Sequence, residues 1–310
     1  YPVNPVILST RPVGLFSVLG LPLRPLCPLW LTSFPIFFFF ALLASWRFTS
    51  SYPTLRLSHL PRTVYHLPMP TPNVPEFIRE DLQKLELSLA DDQLKNLAEY
   101  LHLLLDANQR TNLTAIKDPD TAWRRLILDS LTLLPGLEML EAGAQVIDIG
   151  TGGGLPGMPL AIARPDLSFT LLDATGKKVA FLQSCVEAIG LENVRPIQNR
   201  AEVVGHEPEH RQRYDLATVR AVGKIAEIAE YCLPLVKEGG RMLAMKGAAA
   251  ETELADAGDA LAVLGAGDLA LIDAYPEGFD SELVLVSIVK ERPTPKMYPR
   301  EPGTPRKTPL

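Results

Sequence analysis

The run Val146-Ile147-Asp148-Ile149-Gly150-Thr151-Gly152-Gly153-Gly154-Leu155-Pro156-Gly157 constrains the fold of this chain more than any other stretch. An apolar strand runs straight into a glycine-rich turn, and the turn opens a helix. Glycine lets a backbone turn sharply and approach a ligand with no Cβ in the way. A glycine turn alone is a weak sign. Placed between a strand and a helix, it stands in the context that marks a ligand-binding βα junction.

The surrounding sequence has the matching rhythm. Short β-like runs at Gln145–Ile149, Phe169–Asp173, Val194–Gln198, Leu216–Val219 and Arg241–Met245 alternate with helical stretches such as Lys177–Ala188 and Lys224–Leu235. Such alternation means βαβ units and a parallel sheet with helices on both faces. Further strands are expected near Leu269–Ala274 and at Glu282–Val289, close enough to form a hairpin. Before the sheet, a helical preface is expected. Leu82, Leu85, Leu87 and Leu89 are interleaved with charge. From Asp91 onward, Leu94, Leu97, Leu101, Leu104 and Leu105 recur at spacings of three and four. A third helix is expected from Asp118 or Asp120 through Leu134, ended by Pro135-Gly136. The expected organisation is a non-globular leader over 1–75, the preface over 76–136, a ligand-binding α/β domain over 137–291 and a basic, proline-rich tail over 292–310 lying extended on the surface.

Composition separates the leader from the rest. Residues 1–75 hold no Asp or Glu, 13 of the 28 prolines and only five charged side chains, all Arg. The first methionine is Met69. Residues 1–68 are therefore expected to lie outside the working protein, as upstream sequence carried into the frame. The alternatives are an organelle transit segment, since the stretch is Arg-bearing and acid-poor, and a membrane anchor over the uncharged run Pro25–Trp46, which prolines interrupt. No CxxC pair exists among Cys27, Cys185 and Cys232. Neither a zinc site nor a disulfide framework is suggested, and a reducing cytoplasm fits.

From Glu76 onward the chain carries 25 Lys/Arg against 36 Asp/Glu, a net charge of −11. That balance argues against a general nucleic-acid binder, so any contact with RNA must be local.

Asp173 ends the second strand, 23 residues after Gly150. An acid there can accept hydrogen bonds from both ribose hydroxyls of an adenosine. NAD and S-adenosylmethionine share this arrangement, and the loop with Asp173 does not separate them. Two details favour S-adenosylmethionine. Asp148 lies where a carboxylate meets the methionine end or orders the loop. A late strand hairpin also stands where a dinucleotide fold would place a second half. The loop Asn199-Arg200-Ala201-Glu202 after the third strand is placed to flank an adenine.

Several further runs occur in one order: Asn112-Leu113-Thr114-Ala115-Ile116, Ile127-Leu128-Asp129-Ser130-Leu131, Leu172-Asp173, Arg200-Ala201-Glu202, Val219-Arg220-Ala221, Met245-Lys246-Gly247, Thr294-Pro295-Lys296-Met297-Tyr298-Pro299-Arg300 and Gly303-Thr304-Pro305. With the glycine loop, they resemble the small-subunit (16S) ribosomal RNA guanine-N7 methyltransferase family, also called the glucose-inhibited division protein B family. The resemblance covers about residues 76–310. It implies a class I methyltransferase-type, doubly wound, mostly parallel sheet with a small N-terminal helical preface. It implies S-adenosylmethionine as cofactor, small-subunit RNA or the ribosomal particle as partner, and a cytoplasmic monomer needing no metal and no membrane. By the same resemblance Gly150 and Leu155 line the cofactor in the glycine loop. Asp173, Ala174 and Thr175 meet the ribose, and Ala201 and Glu202 flank the adenine. Arg220 faces the cofactor or the incoming guanine, and Lys246 ends the fifth strand beside the same cleft. These two are the candidate catalytic residues. Asn112, Arg124, Arg125 and Lys246 are the candidate RNA contacts. One position departs: Leu126 stands where the family usually has His, with Arg124 and Arg125 just before it.

Overall fold

The computed structural model describes residues 73–310; the readings made for residues 1–68 fall outside the described residues. Seven strands form one sheet: β1 (Gln145–Ile149), β2 (Ser168–Asp173), β3 (Val194–Gln198), β4 (Tyr214–Arg220), β5 (Val236–Lys246), β6 (Ala266–Asp273) and β7 (Val284–Lys290). Their order is β3-β2-β1-β4-β5-β7-β6. β1 to β5 pair in parallel, whereas β7 is antiparallel to both β5 and β6. The order reverses between β1 and β4. In open α/β sheets that switch point, outside the carboxyl ends of the strands, is where ligands bind. The antiparallel β6–β7 hairpin occupies the place of a second parallel dinucleotide-binding half. This architecture is the class I methyltransferase type.

The interior strands read as near-continuous apolar runs because helices cover both faces. On one face lies a core built around Ile147, Val219, Ile228, Cys232, Leu233 and Val286, under α8 (Ile225–Cys232), α9 (Ala250–Asp256) and α10 (Gly258–Leu264). On the other, the preface packs with α5 (Gly157–Ala163) and α6 (Gly176–Ile189) around Leu97, Leu101, Leu104, Ile127, Leu182 and Cys185. A third cluster, including Leu133, Val146, Phe169 and Leu243, closes the base.

The preface comprises α1 (Glu76–Lys84), α2 (Asp91–Asn108) and a continuous helical stretch made of α3 (Pro119–Ala122), a π-helical turn (Trp123–Leu128) and α4 (Asp129–Leu131). The first helix lies earlier than the leucine pattern suggested. Leu85 caps it, and Glu86 takes the left-handed conformation at φ 57°. Leu87 N then donates to Leu82 O and Glu86 N to Gln83 O, the two bonds of a Schellman turn. Glu in the position that usually holds Gly is why the stop is hard to read from sequence. Gln93 on α2 reaches the carboxyl end of α5, donating to Ala163 O at 2.9 Å. The preface is thus tied into the sheet's own helical layer.

The tail also differs from expectation. It is irregular up to a short α11 (Thr304–Lys307), but Thr294, Tyr298 and Pro305 are buried. Lys290 at the end of β7 is fully buried, its Nζ donating to the Leu233 and Val236 carbonyls beyond α8. Of the cations from 290 to 310, Lys290 and Arg300 are therefore spent inside the fold. Among the described residues no helix is long and apolar enough to cross a membrane.

Candidate functional site

The glycine loop is held by two carboxylates. Asp148 is fully buried beneath it. Its Oδ2 accepts from Thr151 Oγ1 at 2.6 Å and Gly157 N at 2.9 Å, and its Oδ1 accepts from Thr218 Oγ1 at 3.3 Å. The sequence left open whether Asp148 meets the ligand or orders the loop; its contacts make it the loop's organiser. Burial pushes its pKa up to about 6, against the pull of those hydrogen bonds and of Arg220. Asp173, at the end of β2, accepts from Gly152 N at 3.0 Å with one oxygen and from Thr175 N at 2.8 Å with the other. A carboxylate has about four lone-pair sites, so both oxygens keep capacity for a ligand's hydroxyls.

Gly150 turns the chain at φ 67°. A Cβ there would lie 2.7 Å from Val222 Cγ2, so the close approach of the loop after β1 to the loop after β4 requires glycine. Between these loops and the end of β3 lies a cavity of about 200 Å³. Gly150, Asp173, Ala174, Ala201 and Glu202 line it together, five of the eight residues expected to hold the cofactor. This donor set fits an adenosine. It offers a carboxylate for vicinal hydroxyls, glycine backbone on one side, and Ile149 and Leu172 as apolar floor.

The other three expected cofactor residues lie elsewhere. Leu155 is buried in the preface-side core, not in the cavity wall. The turn from Gly154 into α5 points its side chain inward. Thr175 caps α6 and contributes its N–H to Asp173. Arg220, at the end of β4, belongs to a second cavity. Within the first, Glu202 is nearly buried, and its Oε1 accepts from Gly303 N of the tail at 2.8 Å.

The second cavity, of about 540 Å³, is lined by Arg125, Arg220, Ala221, Lys246, Glu253 and Asp280 among others. It shares Arg125 and Asp280 with a neighbouring hollow of about 440 Å³ that reaches Asp129, Tyr275 and Phe279. The Arg220 Nη2 donates to the Arg125 carbonyl and stands 3.5 Å from Asp129 Oδ2. Its Nη1 is buried and has no partner. Leaving a buried charged donor unmatched is costly, and the guanidinium that carries it lines the cavity. Ala221, the next residue, is held at φ 54°. Strained backbone of this kind costs about 1–3 kcal/mol and concentrates at functional sites. Asp129 completes the cluster. Tyr275 donates to it at 2.6 Å, and burial raises its pKa despite Tyr275 and Arg220.

The expected RNA contacts divide into free and engaged groups. Asn112 and Arg125 are exposed. Arg124 is not free: it pairs with Asp81 of α1 and lies over the Phe77 ring, 4.2 Å from its centre. Lys246 is mostly buried, donating to Gly223 O at 2.8 Å and pairing with Glu253 at 2.6 Å. Its ammonium therefore fixes the loop after β4 and offers little to a ligand. Leu126 is buried in the preface core and does not face the cleft.

Two residues that sequence reasoning missed complete the site. Tyr100 of α2 donates to Gly153 O at 2.7 Å, bracing the glycine loop from the preface. In the sequence it reads as one more core position of an amphipathic helix. Tyr275, in the turn between β6 and β7, carries no local signal at all; only the fold brings it to Asp129.

The chain matches the family described as GidB, rRNA small subunit methyltransferase G, over residues 93–275. It is similar to the Ribosomal RNA small subunit methyltransferase G of Moorella thermoacetica, with 45% identity over 224 residues, 72% of this chain and 93% of that one. It is similar also to the protein of the same name from Leuconostoc citreum, with 42% identity over 225 residues, 72% and 94% of the two chains. The match takes in the preface helix α2, the glycine loop, Asp173, Arg220 and Tyr275 together, and this chain belongs to the rRNA small subunit methyltransferase G family.

Proposed function

We propose that this protein transfers the methyl group of S-adenosylmethionine to N7 of a guanine in small-subunit (16S) ribosomal RNA, acting on the RNA or the ribosomal particle in the cytoplasm. The observation that carries the reading is the adjacency of two unlike cavities at the switch point. One is shaped for an adenosine, with the Asp173 carboxylate and the glycine loop. The other is lined by Arg220, whose buried Nη1 has no partner.

Bound in the first cavity, S-adenosylmethionine would supply an electrophilic sulfonium methyl. Asp173 would accept from the ribose, and the Ala201–Glu202 backbone would face the adenine edge. Guanine N7 carries a free lone pair and needs no deprotonation, so no side chain is required as a general base. The work left to the protein is alignment and exclusion of water. Arg220 suits alignment: its guanidinium lines the second cavity, is held by the Arg125 carbonyl and Asp129, and after a small shift of the side chain can donate to guanine O6. Asp129 and Tyr275 hold Arg220 in place. Lys246 acts one step further out, holding the Ala221–Lys224 loop through Gly223 O. Duplex RNA hides N7 in a deep, narrow major groove, so the target guanine lies in an unpaired or splayed segment. Asn112 and Arg125, both exposed, are the surface groups best placed to meet that RNA.

The test is methylation of small-subunit RNA and of the particle with labelled S-adenosylmethionine, followed by borohydride–aniline cleavage, which cuts at N7-methylguanine. The expected result is label and one cleavage site. Label without cleavage would move the acceptor off N7, and binding of NADH with none of S-adenosylmethionine would overturn the reading.

A further inference from the structure

The tail does more than end the chain. After β7 it crosses the outer face of α8 and α7 (Ala201–Val204) and is fixed at four places. Arg211 gathers its carbonyls, Nη2 donating to Thr294 O at 2.8 Å and Nη1 to Tyr298 O at 2.7 Å. His206 Nε2 donates to Pro299 O at 2.7 Å. Gly205 leaves room for this crossing, since a Cβ there would sit 2.5 Å from Pro299 Cγ. Arg300 forks onto Glu230, which is fully buried, with Nε to Oε1 at 2.9 Å and Nη2 to Oε2 at 2.6 Å. Last, Gly303 N donates to Glu202 Oε1 at 2.8 Å.

The Gly303 anchor sets the position of the final helix. Glu202 is itself a wall of the adenosine cavity, so the bond from Gly303 brings the strap to the rim of that cavity. Gly303, at φ 84°, turns the chain into α11, and both Gly303 and Arg306 line the cavity. Arg300 is spent on Glu230, whereas Arg306 takes part in no ion pair among the described residues. A guanidinium is planar, only donates, and both stacks on aromatic faces and pairs with ring-nitrogen acceptors. Adenine offers both. The carboxylates of Asp173, Glu202 and Glu227 in the lining only accept, and the other side-chain donors there are engaged: Asn199 with Glu207, Tyr231 with Glu227 and Arg200 beside Glu202 at 3.6 Å.

We propose that the C-terminal strap is the outer wall of the cofactor cavity and that Arg306 is a cofactor-binding residue, its guanidinium meeting the adenine base. This rests on the reading of that cavity as the S-adenosylmethionine site. The strap's register, set by Arg300 on Glu230 and by Gly303 on Glu202, places Arg306.

The experiment is calorimetry on the full chain with three probes: S-adenosylmethionine, S-adenosylhomocysteine, and 5′-methylthioadenosine, which keeps the nucleoside and lacks the amino-acid end. Arg306→Ala is expected to raise Kd about 10-fold for all three by the same factor, the lower end for losing a hydrogen bond to a charged group. Arg306 is exposed, so the thermal midpoint stays unchanged. Glu202→Gln, which weakens the strap's anchor, is expected to raise the same three constants together. Unchanged Kd values in Arg306→Ala, or a loss of RNA affinity with cofactor affinity intact, would overturn the inference while leaving the cofactor site standing. An unaltered chain that binds none of the three probes would overturn the underlying reading as well.

Discussion

At the carboxyl ends of β1, β2 and β3 the cavity is walled by backbone and by carboxylates that organise backbone. Asp148 and Asp173 between them receive the N–H groups of Gly152, Gly157 and Thr175. At the ends of β4 and β5 the wall is made of long side chains, and its least exposed charges are paired with one another: Arg220 with Asp129, Lys246 with Glu253. The first half is pre-set by local covalent geometry. The second is a network whose members come from residues 125–129, 220–221, 246–253 and 275–280. A cofactor that is the same in every cycle suits a site fixed by backbone. An RNA base that must enter and leave suits side chains that hold one another, with Arg220 and the exposed Arg125 lining the cavity.

The comparison breaks first if the backbone half is not held by a buried acid. In the unfolded chain Asp148 loses its proton near the usual aspartate value, whereas in the fold it keeps the proton up to about 6. Between those pH values the folded state holds more protons, so this residue's contribution to stability falls as pH rises and levels off above about 6. The fall amounts to roughly 3 kcal/mol for a shift of about two units. Urea unfolding of the wild type and of Asp148→Asn from pH 4 to 7 isolates it. The wild type is expected to lose stability relative to the variant across pH 4 to 6. A level difference would mean that the carboxyl is solvated.

The side-chain half is tested by Arg220→Ala. Turnover at saturating cofactor is expected to fall about 100-fold, the cost of a misplaced reacting group, with cofactor affinity little changed. Normal methylation by this variant would remove Arg220 from the mechanism. Asp173→Ala is expected to do the reverse, weakening S-adenosylmethionine binding by about 1.5–3 kcal/mol. Calorimetry would show whether that loss also appears with the nucleoside alone, as a ribose contact requires.

The same contrast explains what the sequence made legible. The bounds of β1 and β3 coincide with the apolar runs that announced them, and β2, β4 and β7 begin or end within two residues of theirs. A β-like run bounded by turn residues is a local property, as is a strand that runs into Gly150 or ends on Asp173. The resemblance implies that Leu155 lines the ligand, but only the turn into α5 decides that it faces the preface core. The Arg220–Asp129–Tyr275 cluster spans 146 residues between two of its members, and no spacing rule reaches that far. Prolines and a scarcity of apolar residues predict a tail lying extended on the surface. They could not show that Glu230 and Arg211 lie underneath to receive it.

Arg124 and Arg125, adjacent in sequence, sharpen the division. Arg124 pairs with Asp81 and covers Phe77, so Arg124→Ala is expected to cost about 1 kcal/mol of stability, at the upper end for a half-exposed pair with a cation–π contact. Arg125 is exposed at the cavity, so Arg125→Ala is expected to leave the unfolding midpoint alone and weaken RNA binding. Equal effects of the two on RNA affinity would show that Arg124 leaves Asp81 when RNA arrives.

The smallest effect expected is on salt dependence. Residues 76–289 carry 19 Lys/Arg against 34 Asp/Glu, a net charge of −15, while 290–310 carry six against two. Such a body repels phosphate except at a few points. Of the cations near the cleft or on the tail, Arg124, Lys246, Lys290 and Arg300 are already paired or buried. That leaves few for phosphates, chiefly Arg125, Lys296 and Lys307, all exposed. Each phosphate neutralised contributes roughly 0.7–0.9 to the slope of log K against log salt, so a slope of about −2 to −4 is expected. Deleting the tail is not a clean test, because Tyr298 and Pro305 are buried and their loss would disturb the fold. The double substitution Lys296→Ala with Lys307→Ala removes charge and leaves the anchors in place. It is expected to flatten the slope by about one to two with turnover at saturating RNA unchanged. A salt series that leaves the slope untouched would confine RNA contact to the mouth of the cleft, and a turnover loss would mean that the strap's charges act through the cofactor wall that Arg306 shares.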